Sequence, residues 1–165
     1  MTNFYVGLHR GPIDHEASSV INIIANEAIN MGSAVALLTT TPTTELLPRV
    51  DETDLDDEQV YGIAVGGDAD GIYGTGAAGT PGDGTFAADA ADEGIVIVTQ
   101  GRCPARVNGD VPIGSKLVAS TAEVGALVVP AIPAATDRVI AIALQDTGGV
   151  GSHIIAVDVQ RQGAL

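Results

Sequence analysis

The stretch INMGSAVAL at residues 29–37 returns as VPIGSKLVA at residues 111–119, and this near-repeat decides the fold. The Gly-Ser pairs of the two stretches are 82 residues apart (114 − 32). A second pair, VYGIAV at 60–65 and VIAIAL at 139–144, follows in the same order at an offset of 79 (142 − 63). Two matched elements in one order indicate a β unit that is used twice. We therefore expect a scaffold, because neither copy contains an active-site pattern.

Helical periodicity is almost absent, and short apolar runs bounded by Gly, Pro, Asn or Asp predict strands instead. The stretch 18–31 keeps roughly helical spacing, but its β-branched run VINII favours a strand. The number and spacing of the runs predict an all-β fold, a compact β-sandwich or β-barrel-like domain with an internal two-fold repeat. The predicted strands cover residues 20–25, 34–39, 60–65, 94–99, 103–107, 116–119, 126–129, 138–144 and 153–159.

Three segments lie outside the repeat. Residues 1–19 are expected to form an N-terminal arm, followed by a single β domain at 20–165. Residues 39–58 begin with a threonine-rich run and end in an acidic one. Residues 66–92 are rich in Gly, Ala and Asp and are expected to form a long inserted loop. Long loops in compact domains usually carry binding or assembly contacts.

The charge balance excludes some classes of partner. The 165 residues carry 21 acidic and 7 basic side chains, for a net charge of −14. So acidic a chain repels nucleic acid and anionic membranes, because phosphate binding requires cations. No signal-peptide pattern or apolar run of membrane-spanning length is present, so we expect a soluble protein made in the cytoplasm. The single cysteine, Cys103, fits a buried small apolar residue better than a nucleophile.

Several local patterns match those of known sites, but the residues around them do not fit such sites. The glycine run at 74–79 matches the dinucleotide-binding pattern, but the Thr-Pro-Gly that follows cannot form the required helix. His15 beside Asp14 does not make a triad, since triad members come from separate parts of a fold. We expect no catalytic residues, no cofactor and no metal. A weak Ca²⁺ site is the less favoured alternative to solvated turn aspartates; its ligands would be Asp68, Asp70, Asp83, Asp89 and Asp92.

The order of the short motifs from residue 60 to 160 resembles the capsid decoration (cement) proteins of tailed bacteriophages and related viruses. The motifs are GIAV at 62–65, DEGIVIVTQGR at 92–102, VPIGSKLVA at 111–119, GA at 125–126, VIAIAL at 139–144 and IIAVDV at 154–159. This sequence departs from the family pattern at Ser115, where an Asp is usual, and in its long loop.

The resemblance implies a β-rich, non-enzymatic virion protein, often trimeric, that binds the outer capsid surface and bridges major capsid protein subunits. The arm and the long loop are the predicted contact elements, because they hold four of the five aromatic residues. The arm could instead be the first strand of its own sheet. Alternatives are a tail or baseplate β module, or a Ca²⁺- or carbohydrate-binding module, although sugar binding usually needs exposed aromatics and no Trp is present. The predicted contact residues are Phe4, Tyr5, Leu8, Arg10, Ile72, Tyr73 and Phe86.

Overall fold

The computed structural model describes residues 19–38, 47–54, 59–67, 86–88, 91–131 and 138–160, and all regular secondary structure in them is β-strand. The all-β prediction is therefore confirmed. The strands are β1 (Ser19–Ala25), β2 (Ile29–Asn30), β3 (Ala34–Leu37), β4 (Arg49–Glu52), β5 (Val60–Gly67), β6 (Phe86–Ala88), β7 (Gly94–Asn108), β8 (Lys116–Ala119), β9 (Leu127–Val128), β10 (Ala141–Ala143) and β11 (Ser152–Val159).

The strands close into two five-membered rings that share β7. In the first ring the order is β1-β4-β3-β5-β7, and β7 pairs again with β1. In the second ring the order is β7-β11-β10-β8-β9, and β9 pairs again with β7. Residues 94–100 of β7 serve the first ring and residues 101–108 serve the second. A closed ring of pairings is a small barrel, which leaves no open sheet edge.

The two rings are copies of one unit. Each strand pairing in the first ring has a counterpart of the same direction in the second ring. For example, the parallel pair β1–β4 corresponds to the parallel pair β7–β9. The registers agree as well. Ala34 is the partner of Ile63 in the first ring, and Lys116 is the partner of Ile142 in the second. These positions differ by the offsets of 82 (116 − 34) and 79 (142 − 63) that the sequence shows.

The turn before β3 is repeated down to its hydrogen bonds. Gly32 and Gly114 have φ angles of 81° and 82°, a region that favours glycine. The Gly32 N–H donates to Ala64 O at 2.7 Å, and the Gly114 N–H donates to Ala143 O at 2.8 Å. The Gly-Ser pairs in the sequence are therefore the same turn used twice.

Each ring has its own apolar interior. One core cluster fills the first ring, and a second cluster fills the second ring and extends onto one face of the first. The side chains are mostly small or β-branched, which suits narrow barrels. The first interior contains Ile23, Ala25, Ile29, Val35, Val50, Ala64, Ile95 and Ile97. The second contains Cys103, Ala105, Val107, Val111, Leu117, Leu127, Ala143, Ile155 and Val157.

All nine predicted strands overlap observed ones, with two kinds of difference. Residues 94–99 and 103–107 were predicted as separate strands, but they form the single strand β7, with Gly101 at φ 101° between them. The helical alternative for residues 18–31 is wrong, because residues 19–25 form β1. Strands β2, β4 and β6, which are two to four residues long, were not predicted.

The long segment after β5 is an insertion into the first copy. Residues 68–93 separate β5 from β7, whereas residues 144–151 separate β10 from β11. The prediction of a loop here is wrong at β6, which pairs with β2. The second copy has Pro112 where the first has Asn30 (112 − 30 = 82), and proline lacks the backbone N–H that Asn30 donates to Glu52 Oε1.

Candidate functional site

A buried carboxylate lies where the two copies meet. Glu52, at the end of β4, is 7% exposed. Its Oε1 accepts hydrogen bonds from Asn30 N at 2.6 Å, Asn30 Nδ2 at 3.0 Å and Ser33 Oγ at 2.7 Å. Arg106 Nη1 lies 3.9 Å from the same oxygen. A buried charge needs this density of donors, because an unpaired one costs several kcal/mol.

Arg106 joins the turn of the first copy to the second copy. Its backbone N–H donates to Gly32 O at 2.8 Å, and its Nη1 donates to Ser33 Oγ at 3.3 Å. On the other side its Nη2 pairs with Glu123 Oε1 at 2.7 Å. Ser152 Oγ also donates to that oxygen, at 2.9 Å. Together these contacts form a polar junction between the rings.

The junction is too tightly packed to accept added atoms. A Cβ on Gly125, where φ is 69°, would lie 2.8 Å from Ser33 Oγ and 3.1 Å from Glu52 Cδ. A Cβ on Gly32 would lie 3.1 Å from Arg106 N. The geometry therefore assigns Glu52 and Arg106 a structural role, which is to hold the two rings together.

Beside the junction, Glu27, Asp51 and Asp54 form an acidic corner of the first ring. The pKa of Glu27 is raised by partial burial and by the neighbouring charges of Asp51, Glu52 and Asp54. A hydrogen bond from Glu52 N at 3.1 Å lowers this pKa in part but does not reverse the shift. Asp51 Oδ1 is buried and has no hydrogen-bond partner among the described residues. The corner thus concentrates negative charge on one side of the junction.

A row of residues runs across the first ring on the face opposite its interior. Adjacent strands place Val20 beside Val98, Val98 beside Ile63, and Ile63 beside Ala34. Val98, Ile63 and Ala34 are completely buried in the larger core cluster, and Val20 packs against it. This face of the first ring is therefore covered within the chain.

The matching row on the second ring carries charges. Arg102 lies beside Asp158, Asp158 beside Ile142, and Ile142 beside Lys116. Arg102 and Lys116 are exposed, and Asp158 and Ile142 are half-buried. We call these four residues the charged row. The same face of the duplicated unit is therefore apolar and covered in one copy, and charged and uncovered in the other.

Most of the predicted contact residues lie outside the described residues, namely Phe4, Tyr5, Leu8, Arg10, Ile72 and Tyr73. Phe86 is the one in the described part, where it begins β6 and is the Cα partner of Asn30. Sequence reasoning missed Glu52 and Arg106. Glu52 belongs to the acidic run that ends the segment 39–58, although Val50 and Glu52 keep the period of two that marks one face of a strand.

The described residues bear on other site predictions too. Cys103 is 2% exposed, and burial followed by the charge of Asp158 raises the pKa of its thiol. Asp92, one of the possible Ca²⁺ ligands, makes an ion pair with Arg49; the other four lie outside the described residues. Within the described ranges no three His, Cys, Asp or Glu side chains are grouped to hold a metal ion. That part of the chain also contains no helix able to span a membrane.

The fold is similar to that of a known bacteriophage protein. The crystal structure of the head fiber gp8.5 N base of bacteriophage phi29 superposes with a TM-score of 0.53. The match covers 90% of this chain and 98% of that chain, at 9% sequence identity. No family model matches the sequence, and no curated protein matches it either. The similarity is therefore one of fold.

Proposed function

We propose that this chain is a virion structural protein that binds the outer surface of a capsid and stabilises it by bridging major capsid protein subunits. The observation that carries the proposal is the fold shared, over nearly the whole of both chains, with a base domain named as part of a phage head fiber. The order of short motifs from residue 60 to 160, which resembles capsid decoration proteins, supports it independently. The proposal includes no catalytic activity and no cofactor.

The physical properties of the chain suit such a role. A protein present in many copies on a shell gains by multivalency, so modest individual contacts give firm attachment. A net charge of −14 discourages non-specific aggregation before the protein reaches a shell. We propose a homo-oligomer, with a trimer favoured, which attaches through the arm at residues 1–19 and the loop at 66–92.

The test uses empty shells and two purified variants. A variant lacking residues 1–15 is expected to remain folded and to lose co-sedimentation with shells. The matched control is Val150→Ala, which trims a side chain that is 85% exposed and lies outside both proposed contact segments. Shell binding by the truncated variant equal to that of the control would overturn the assignment of the arm.

A separate experiment distinguishes attachment to the head from attachment elsewhere on the particle. Electron microscopy of antibody-labelled particles is expected to place label over the head. Label on the tail would replace this proposal with that of a tail or baseplate β module.

A further inference from the structure

We propose that the outer face of the second ring, centred on the charged row, binds a second copy of this chain, which meets it with the acidic corner of its first ring. The inference rests on the homo-oligomer part of the proposed function and is independent of attachment to a shell.

The duplication itself identifies this face as a contact surface. In the first copy the equivalent face is buried in the core, through residues such as Val98 and Ile63. In the second copy nothing among the described residues covers it. Ile154 on this face is 54% exposed, and Ile142 and Ala156 are half-buried. Apolar side chains on an uncovered sheet face, with charges beside them, are typical of a protein interface.

The charges on this face specify what it binds. Arg102 and Lys116 are exposed, and among the described residues neither lies within ion-pair distance of a carboxylate. Arg49 and Arg106, in contrast, are held in ion pairs. The carboxylate of Asp158, between the two exposed cations, contacts the side-chain amide of Gln160 at 3.3 Å. In a chain with a net charge of −14, two exposed cations that pair with no carboxylate of the described ranges favour an acidic partner surface.

The acidic corner supplies such a surface, and it exists in the first copy only. In the second copy, the position equivalent to Glu27 is Gly109 (27 + 82). The position equivalent to Asp51 is Val128, because Val128 pairs with Val118 as Asp51 pairs with Ala36. The second copy thus carries exposed cations on its outer face, whereas the first copy carries carboxylates at its acidic corner. A cation docked at the corner would also relieve the mutual repulsion of its carboxylates.

The contact is heterologous, because the two surfaces that meet are different. Head-to-tail contacts of this type close into a ring when the rotation between neighbours permits, and otherwise form an open chain. A three-membered ring would give the trimer of the proposed function.

The experiment measures molar mass by light scattering over a range of protein concentrations. The wild-type chain is expected to form oligomers that dissociate as salt is raised, because exposed charge pairs are screened. The double variant Arg102→Glu/Lys116→Glu and the double variant Glu27→Lys/Asp54→Lys are each expected to raise the dissociation constant at least about tenfold. A mixture of the two is expected to assemble again, with the variants in a one-to-one ratio, because the reversed row of one variant then meets the reversed corner of the other.

Two controls separate contact from folding and from net charge. Asp110→Lys/Asp146→Lys changes the net charge as much as the acidic-corner variant does, but at exposed positions outside it, and is expected to assemble as well as the wild-type chain. The neutral variants Arg102→Gln/Lys116→Gln and Glu27→Gln/Asp54→Asn test the same contact if a charge reversal unfolds the chain, which circular dichroism would reveal. A wild-type chain that stays monomeric at all concentrations overturns the inference. So does assembly that neither double variant weakens, or a mixture that fails to pair.

Discussion

Gly32 and Gly114 have the same backbone conformation in opposite surroundings. Both have φ near +80° and both close the same turn. A Cβ added at Gly32 would lie 3.1 Å from the backbone nitrogen of Arg106, whereas one added at Gly114 would meet nothing within 4 Å. The first turn is part of the junction between the rings, and the second turn is exposed.

This pair predicts unequal effects of one substitution. Gly114→Ala is expected to lower the free energy of unfolding by about 1–2 kcal/mol, the cost of a left-handed conformation for a residue with a Cβ. Gly32→Ala is expected to cost more, because the same strain is combined with a clash against the backbone of β7. Urea unfolding of both variants measures the difference, and equal losses would contradict the junction geometry.

The polar junction predicts that Arg106 contributes to stability and that Arg102, four residues away on β7, does not. Arg106→Met removes the positive charge beside the buried carboxylate of Glu52, and the free energy of unfolding is expected to fall by about 1–3 kcal/mol. Arg102→Met removes an exposed side chain and should change the unfolding free energy of the monomer, measured at high salt, by less than about 0.5 kcal/mol. Chemical denaturation of the two variants tests this, and a loss of similar size in both would refute the structural role of Arg106.

The raised pKa of Glu27 predicts a pH-dependent effect of Glu27→Gln. The glutamine keeps a side-chain oxygen that can accept the hydrogen bond from Glu52 N. Because the pKa of Glu27 in the folded chain lies above the ordinary glutamate value of 4.5, the folded chain loses stability as the pH rises from 4.5 through the folded-state pKa. The variant is therefore expected to melt at a higher temperature than the wild-type chain near neutral pH.

Below pH 4.5 the advantage of Glu27→Gln should disappear, because the carboxyl is then protonated in both the folded and the unfolded state. Melting curves at a series of pH values supply the measurement. A difference between variant and wild type that is independent of pH would show that charge is not the cause.

Cys103 is expected to resist thiol reagents in the folded chain. Its side chain lies in the interior of the second ring, and its raised pKa keeps the thiol protonated. Labelling with a chromogenic disulfide reagent should therefore be slow in buffer and rapid in denaturant. Fast labelling of the native protein would mean that the second ring opens readily.

Much of the scaffold could be predicted because the repeat carries strong local signals. The Gly-Ser turns require a positive φ, and the strands that follow them are apolar. The closure of two rings through β7 could not be predicted, since Gly101 has the local pattern of a strand end. Only the pairing partners of β7, which lie far away in sequence, show that it continues through this glycine.

The junction shows why polar sites are harder to find from sequence. Glu52 belongs to an acidic run in which most residues carry like charges, and such runs are usually solvated. Its burial depends on Asn30 and Ser33, in the turn before β3, and on Arg106, far away in β7. No local sequence pattern indicates that these residues come together, so the site could be found only from the fold.

The shared strand β7 has a mechanical consequence. Its 15 residues run without interruption from one ring into the other, so the rings are joined by a hydrogen-bonded strand rather than by a flexible hinge. A pulling force applied across the two rings would be borne in shear by the ladders on both halves of β7.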